Sequence, residues 1–199
     1  MTAETALALI GFAFVMSVSP GPGNFLLLAS GATFGFARSL PLVLGISAGF
    51  LSMVFAVGMG LGTVLQRLPE LDLALRIACG LYVLWLAVRI ARSRALGSGG
   101  EAVGRPIGFV QAALFQLVNP KAWAVALVVT VSYTNPARFT ASLLALIAVF
   151  ALVNIPSISL WALSGAGLRR FLAQGRRIVA FNLAMAALLV ASMVPALLR

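Results

Sequence analysis

The sequence predicts an all-α membrane protein: six transmembrane helices forming two inverted three-helix repeats, with the first and fourth helices broken. Three observations carry that reading. Of 199 residues, 62% are hydrophobic and 9% charged, where a soluble domain averages about 25% charged. The apolar residues fall into six stretches, each near the ~20 residues a helix needs to cross a hydrocarbon core ~30 Å thick. Two of these stretches are interrupted at mid-length, by prolines that stand 100 residues apart.

The first stretch, Thr5–Phe34, would be about 45 Å long as a straight helix. At its middle lies Ser19-Pro20-Gly21-Pro22-Gly23-Asn24. Pro20 and Pro22 lack the N–H groups that would bond the carbonyls of Met16 and Val18, and the glycines remove the steric penalty for unwinding. The second and third stretches are Leu40–Leu65 and Leu73–Ala91. The fourth, Ile107–Val131, carries Asn119-Pro120-Lys121 near its midpoint. Asn followed by Pro is a helix-start signature, so a second half-helix is expected to begin at mid-depth. The fifth and sixth are Phe139–Leu163, containing Asn154 and Pro156, and Ile178–Leu198.

The joins are Gly35–Arg38, Gln66–Glu70, Arg92–Pro106, Asn135–Arg138 and Arg169–Arg177. Gly97-Ser98-Gly99-Gly100 has a flexible-linker composition. Residues 1–96 are therefore expected to form the first repeat, 97–106 a cytoplasmic linker, and 107–199 the second repeat. Met1–Glu4 has no basic n-region, so the first stretch reads as a retained span and not a signal peptide.

Positive charge sorts by side. Arg38, Arg89, Arg92, Arg94, Arg105, Arg169, Arg170, Arg176 and Arg177 fall on connections one, three and five. The other side holds Arg67, Arg76, Arg138 and Arg199, with Glu4, Glu70 and Asp72. Cytoplasmic loops are rich in Lys and Arg, which places the odd-numbered connections inside and both termini outside. A five-span alternative, with a re-entrant first stretch and an internal N-terminus, keeps every later loop in place.

Several chemistries are excluded. The net charge of +10 borders apolar spans, so anionic headgroups account for it and no nucleic-acid partner is implied. With Cys79 as the single cysteine and no histidine, there is no disulfide, redox pair or thiolate metal cage, and no cofactor is expected. Ser19 with Lys121 could act as nucleophile and base, but no oxyanion motif or acid supports an intramembrane enzyme. A purely structural or assembly subunit is the other alternative.

Because three is odd, the two halves run with opposite topology, a recurring design of secondary transporters. Irregular backbone at membrane depth is tolerated only against protein or a water-filled cavity. Pro20, Gly21, Pro22 and Asn24 are thus expected to shape one lip of a cavity and Asn119, Pro120 and Lys121 the other. Half-helix N-termini there suit a carboxylate. Freed carbonyls suit an ammonium. Lys121 adds the one charge placed deep in a span, costly enough to imply function, unless it snorkels to an interface. The substrate that fits is a small zwitterion such as an amino acid. Asn154 either lines this cavity or caps a kink at Pro156, and Asn182 is a weaker candidate.

Other features have plainer readings. Gly45/Gly49 and Gly58/Gly62 are close-packing pairs that permit a homodimer without requiring one. Pro156 and Pro195 read as kinks, Asp72 and Arg76 as a pair one turn apart, Trp85, Trp123 and Trp161 as packing or interfacial aromatics, and Cys79 as a small core residue.

Ser19–Asn24 leading into Phe25–Gly35, Gly45-Ile46-Ser47-Ala48-Gly49, Gly80–Leu86, Gly108-Phe109-Val110-Gln111 and Asn119-Pro120-Lys121-Ala122 form an ordered set. In that set the chain resembles the LysE/RhtB family of bacterial amino-acid exporters along nearly its whole length. Leu28–Phe36 and Trp161–Gly165 look most like the cysteine/O-acetylserine exporter branch. The resemblance implies a proton-coupled exporter of the bacterial cytoplasmic (inner) membrane, leaning toward small neutral amino acids. There are departures. Gly23 stands where the family usually has Asn or Asp, so Asn24 is expected to supply the polar group. Phe50 stands where many relatives carry a polar or acidic residue. With no Asp, Glu or His at depth, Lys121 is the only candidate proton carrier.

Overall fold

The computed structural model describes residues 3–60, 77, 81–88, 90–92, 105–173 and 176–197, with side chains as far as 191. The Gln66–Glu70 join, Gly62, Asp72 with Arg76, Cys79, the Gly97–Gly100 linker and the side chain of Pro195 lie outside the described residues. The described residues are helical with short breaks. The elements are α1 (Ala3–Val18), α2 (Pro22–Phe34), α3 (Phe36–Gly58), α4 (Phe109–Leu117), α5 (Pro120–Tyr133), a 3₁₀ turn (Pro136–Arg138), α6 (Phe139–Leu172) and α7 (Arg177–Leu197). Residues 81–88 are also helical.

Both expected breaks are present. α1 and α2 meet at 57°, and α4 and α5 at 69°. α3, with 23 residues, and Pro136–Leu172, with 37, are each long and apolar enough to cross a bilayer, and each bent pair is so when taken together.

The sorting of side chains is that of a protein in lipid. Leu7, Val131 and Leu152 are 69%, 80% and 77% exposed, while Ser17, Asn24, Gln116, Asn119, Asn154 and Asn182 are buried. In water that outer surface would be one large apolar patch. Every buried polar group also needs an internal partner there. The chain is a multi-pass membrane protein.

Two element ends differ from the sequence expectation. Of the Gly35–Arg38 join only Gly35 is non-helical, at a φ of 83° that glycine adopts without strain. The fifth apolar stretch was expected to end at Leu163, but α6 continues to Leu172. The reason is tertiary. A Cβ on Gly165 would collide with the carbonyl oxygen of Leu28, and one on Gly31 with that of Ala162. The missing side chains let α2 and α6 touch backbone to backbone. Lipid offers no hydrophobic drive for helix association, so such close packing holds the helices together. It extends α6 past glycines that a local reading takes as a stop. Pro156 stays inside this single helix.

Gly45 and Gly49 do the same for α3 and α4, facing the carbonyls of Phe109 and Ala113. Their packing is within the protomer, so the homodimer expectation gains nothing from them. Two apolar clusters result. One gathers Leu26, Leu42, Ile46, Phe115, Ile158 and Ala162. The other gathers Leu9, Phe50, Val54, Val125, Leu146 and Phe150.

Candidate functional site

The breaks leave helix ends in apolar surroundings, and each must satisfy its backbone groups locally. At the end of α1 the carbonyls of Val15, Met16 and Ser17 all find donors. Val15 O accepts from Ser19 N at 2.9 Å, and Met16 O from Ser19 Oγ at 3.1 Å. Asn24 then reaches back across the break, donating from Nδ2 to both Ser17 O and Ser19 O at 2.8 Å.

The second partner of Ser19 comes from the other half of the molecule. Lys121 Nζ donates to Ser19 O at 2.6 Å and to Ser19 Oγ at 2.8 Å. Lys121 therefore does not snorkel. It crosses from the start of α5 to the negative end of the α1 dipole. Gly21 opens the path, since a Cβ there would lie 2.7 Å from Lys121 Cδ.

At the second break Asn119 caps α5. Its Oδ1 accepts from Lys121 N at 3.2 Å, and its Nδ2 donates to Gln116 Oε1 at 3.1 Å. The N–H groups of Ala122 and Trp123 both reach Asn119 O, at 3.0 and 3.2 Å. The start of α5 is thus closed on itself. α2 is different. It begins on extended Gly21 with no side-chain cap, and Pro22 has no N–H. Among the described residues the N–H groups of Gly23 and Asn24 have no partner.

Between the breaks lies a cavity of about 60 Å³. At the ~10–15 Å³ that one water requires, this is room for roughly four to six waters. Gly21, Gly23, Asn24, Asn119, Lys121 and Asn154 line it, with Ser17, Gln116 and apolar side chains of both clusters. Asn154 Nδ2 donates to Ser17 Oγ at 2.9 Å, while its Oδ1 is buried without a partner. Of the two readings of Asn154, it lines the cavity.

Two expectations are corrected by these contacts. The cavity was expected to meet two half-helix N-termini, but only that of α2 is open. Of the two carbonyls freed by the prolines and expected to await a substrate ammonium, Met16 O already accepts from Ser19 Oγ, and the neighbouring Ser17 O and Ser19 O accept from Asn24 and Lys121. The prolines Pro20, Pro22 and Pro120 set the bends without lining the cavity. Two polar residues went unread in the sequence. Gln116 stands one turn before Asn119, a spacing that put it on the same face. Ser17 carried no such signal, because its partner Asn154 is 137 residues away.

Ser19 and Lys121 do meet. The ammonium donates to the serine oxygen, whose own proton goes to Met16 O. The serine is held as an acceptor and not as a nucleophile losing its proton. Among the described residues no cluster of acidic or cysteine side chains offers a metal site.

The family model described as LysE type translocator matches residues 14–195. The chain belongs to that family. It is therefore a membrane translocator and not an enzyme, and the structural-subunit reading is set aside with the enzyme. It is 32% identical over 202 residues to a cysteine/O-acetylserine efflux protein of Klebsiella pneumoniae subsp. pneumoniae, covering 96% of this chain and 95% of the relative. The protein of the same name from Escherichia coli (strain K12) is 30% identical over 193 residues, covering 96% of each chain. No solved structure matches.

Proposed function

We propose that this protein exports small neutral amino acids or close derivatives across the cytoplasmic membrane, binding them in the cavity between its two broken helices. One observation carries the reading. Among the described residues, N–H donors without a partner at the start of α2, on Gly23 and Asn24, and the unpartnered acceptor Asn154 Oδ1 belong to residues that line the same cavity. Donors at a helix N-terminus match a carboxylate, and a buried amide oxygen matches an ammonium. Free donors and a free acceptor in one small chamber are the complement of a zwitterion. The relatives named for cysteine and O-acetylserine agree with such a solute.

The remaining named residues then have supporting roles. Pro20, Gly21, Pro22 and Pro120 shape the two bends, Asn24 and Asn119 close the helix ends beside the cavity, and Lys121 ties the two bends together. Breaking and remaking the Lys121–Ser19 contact is a natural step of alternating access, because it is a charged link between the two breaks. If a proton drives export, Lys121 is the carrier at depth.

Residues 1–96 and 107–199 are taken as inverted repeats joined by 97–106, with six spans in the inner membrane and both termini outside. The packing supports this. α3 lies against α4, the first part of the other half's broken helix, and α6 lies against α1 in the same relation. The arginines of the odd-numbered connections are then cytoplasmic, next to anionic headgroups.

The test is purified protein in liposomes loaded with a panel of labelled amino acids under an imposed pH gradient. Export of cysteine, serine and alanine above protein-free liposomes is expected, with acceleration by the gradient. Failure to move any amino acid, from protein shown to be folded and inserted, would overturn the reading.

A further inference from the structure

We infer that the tilted ring pair of Phe50 and Phe150 is the wall that sets the size of the exported side chain. This rests on the exporter reading and goes beyond it, because it names what the cavity excludes.

Both rings line the cavity, and both are buried, at 6% and 1% exposure. Their centroids are 5.0 Å apart at an interplanar angle of 49°, an attractive tilted contact. Phe50 stands on α3 and Phe150 on α6, the long unbroken helices of the two halves, 100 positions apart as are Pro20 and Pro120. The pair therefore bridges the halves on one side of the cavity. The rings belong to the second apolar cluster with Met53, Val54, Leu143 and Leu146, and Val125 of that cluster lines the cavity with them. A solute pressing on the rings presses on packed hydrocarbon.

The pair faces the part of the solute that varies. Asn154 follows Phe150 by four residues on α6, so the two side chains share a helix face. With the ammonium on Asn154 Oδ1 and the carboxylate at Gly23 and Asn24, the α-carbon sits between them. The side chain then projects beside Phe150. The wall has little freedom to yield. Gly49, next to Phe50, is already against the carbonyl of Ala113, so α3 cannot move further toward α4 at this level, and Phe150 backs onto Phe50.

A rigid apolar wall discriminates by size. One methylene too many in such a pocket is worth roughly tenfold or more. A wall of this kind favours alanine, serine and cysteine over leucine and phenylalanine, whose longer side chains press on the rings.

The experiment reads a ratio. Full-length protein in liposomes exports labelled leucine and labelled alanine in parallel, as wild type, Phe150→Ala, Phe150→Leu, Phe50→Leu and a control, Phe14→Ala, on the exposed side of α1. The wall account expects Phe150→Ala to raise the leucine-to-alanine ratio by roughly tenfold or more. Phe150→Leu and Phe50→Leu, milder changes kept in case the alanine variant does not fold, should raise it by a smaller factor in the same direction. Phe14→Ala should leave it alone. Variants that export alanine at the wild-type ratio would overturn the wall and leave the exporter reading standing. A folded wild-type protein that moves neither solute would overturn the exporter reading, and the wall with it.

Discussion

The first break ends α1 on a row of freed carbonyls and starts α2 on a glycine, while the second starts α5 on an asparagine that satisfies the new helix itself. Each break holds an asparagine near a proline, and in sequence the two look alike. Their work is opposite. Asn24 uses its amide nitrogen to close the C-terminal end behind it, and Asn119 uses its amide oxygen to close the N-terminal end ahead of it. The consequence is a division of labour. The first break leaves donors open, and the second spends its donors on closing α5 and sends a lysine across to the first. Superficial repetition of a motif does not make two equal half-sites.

The sharpest way to break this comparison is to remove the link between the halves. Lys121→Ala strips Ser19 of its charged donor and leaves the two breaks unconnected. Export is expected to fall about 100-fold, the scale of loss when a positioning contact at a functional centre is removed, while the protein still inserts in the membrane. Liposome export with a gel-filtration check of folding reads both, and undiminished export would count against the link.

A gentler probe of the same contact is Gly21→Ala. The added Cβ would lie 2.7 Å from Lys121 Cδ, so the lysine must shift away from Ser19 while every other group remains. Export is expected to drop about tenfold, since misplacement near a functional centre by an ångström is costly. An equally active variant would mean the lysine contact has slack.

The two asparagines can be told apart by charge. Asn24→Asp replaces a donor by an acceptor facing Ser17 O and Ser19 O. Ser19 O keeps Lys121 as a donor, but Ser17 O is left buried and unpaired at a cost of about 1–3 kcal/mol, so the melting temperature in detergent should fall by several degrees. Asn119→Asp keeps the capping oxygen, and Asp caps helices as well as Asn. Its melting temperature should stay within about a degree or two of wild type, because only the bond to Gln116 is lost. Equal losses from both substitutions would erase the asymmetry.

What the sequence made legible was local. Proline, glycine and asparagine act over a few residues, and they placed both breaks within a residue or two of where the helices part. Asn119 was recognisable as a cap because an N-cap serves its own helix. Asn24 was not recognisable as the closure of α1, since that depends on the chain folding back across the bend. The Lys121–Ser19 contact spans 102 residues, and no pattern of spacing encodes it. The end of α6 at Leu172 was hidden for the same reason. Gly165 is a weak helix former until α2 packs against it. Phe50 stood out only as a departure from the polar or acidic residue of many relatives, and its pairing with Phe150 was hidden, because in a chain this hydrophobic one more phenylalanine carries no signal until the cavity shows which of them face it.

The central claim is that the solute's carboxylate sits on the open start of α2 and not on the closed start of α5. Its most direct measurement is solid-state NMR of the protein in lipid bilayers, following the ¹⁵N-labelled amides of Gly23, Asn24, Lys121, Ala122 and Trp123 during titration with L-cysteine or L-alanine under reducing conditions. The account predicts saturable shifts at Gly23 and Asn24, with Ala122 and Trp123 unmoved. Saturable shifts at the α5 amides with none at α2 would contradict it.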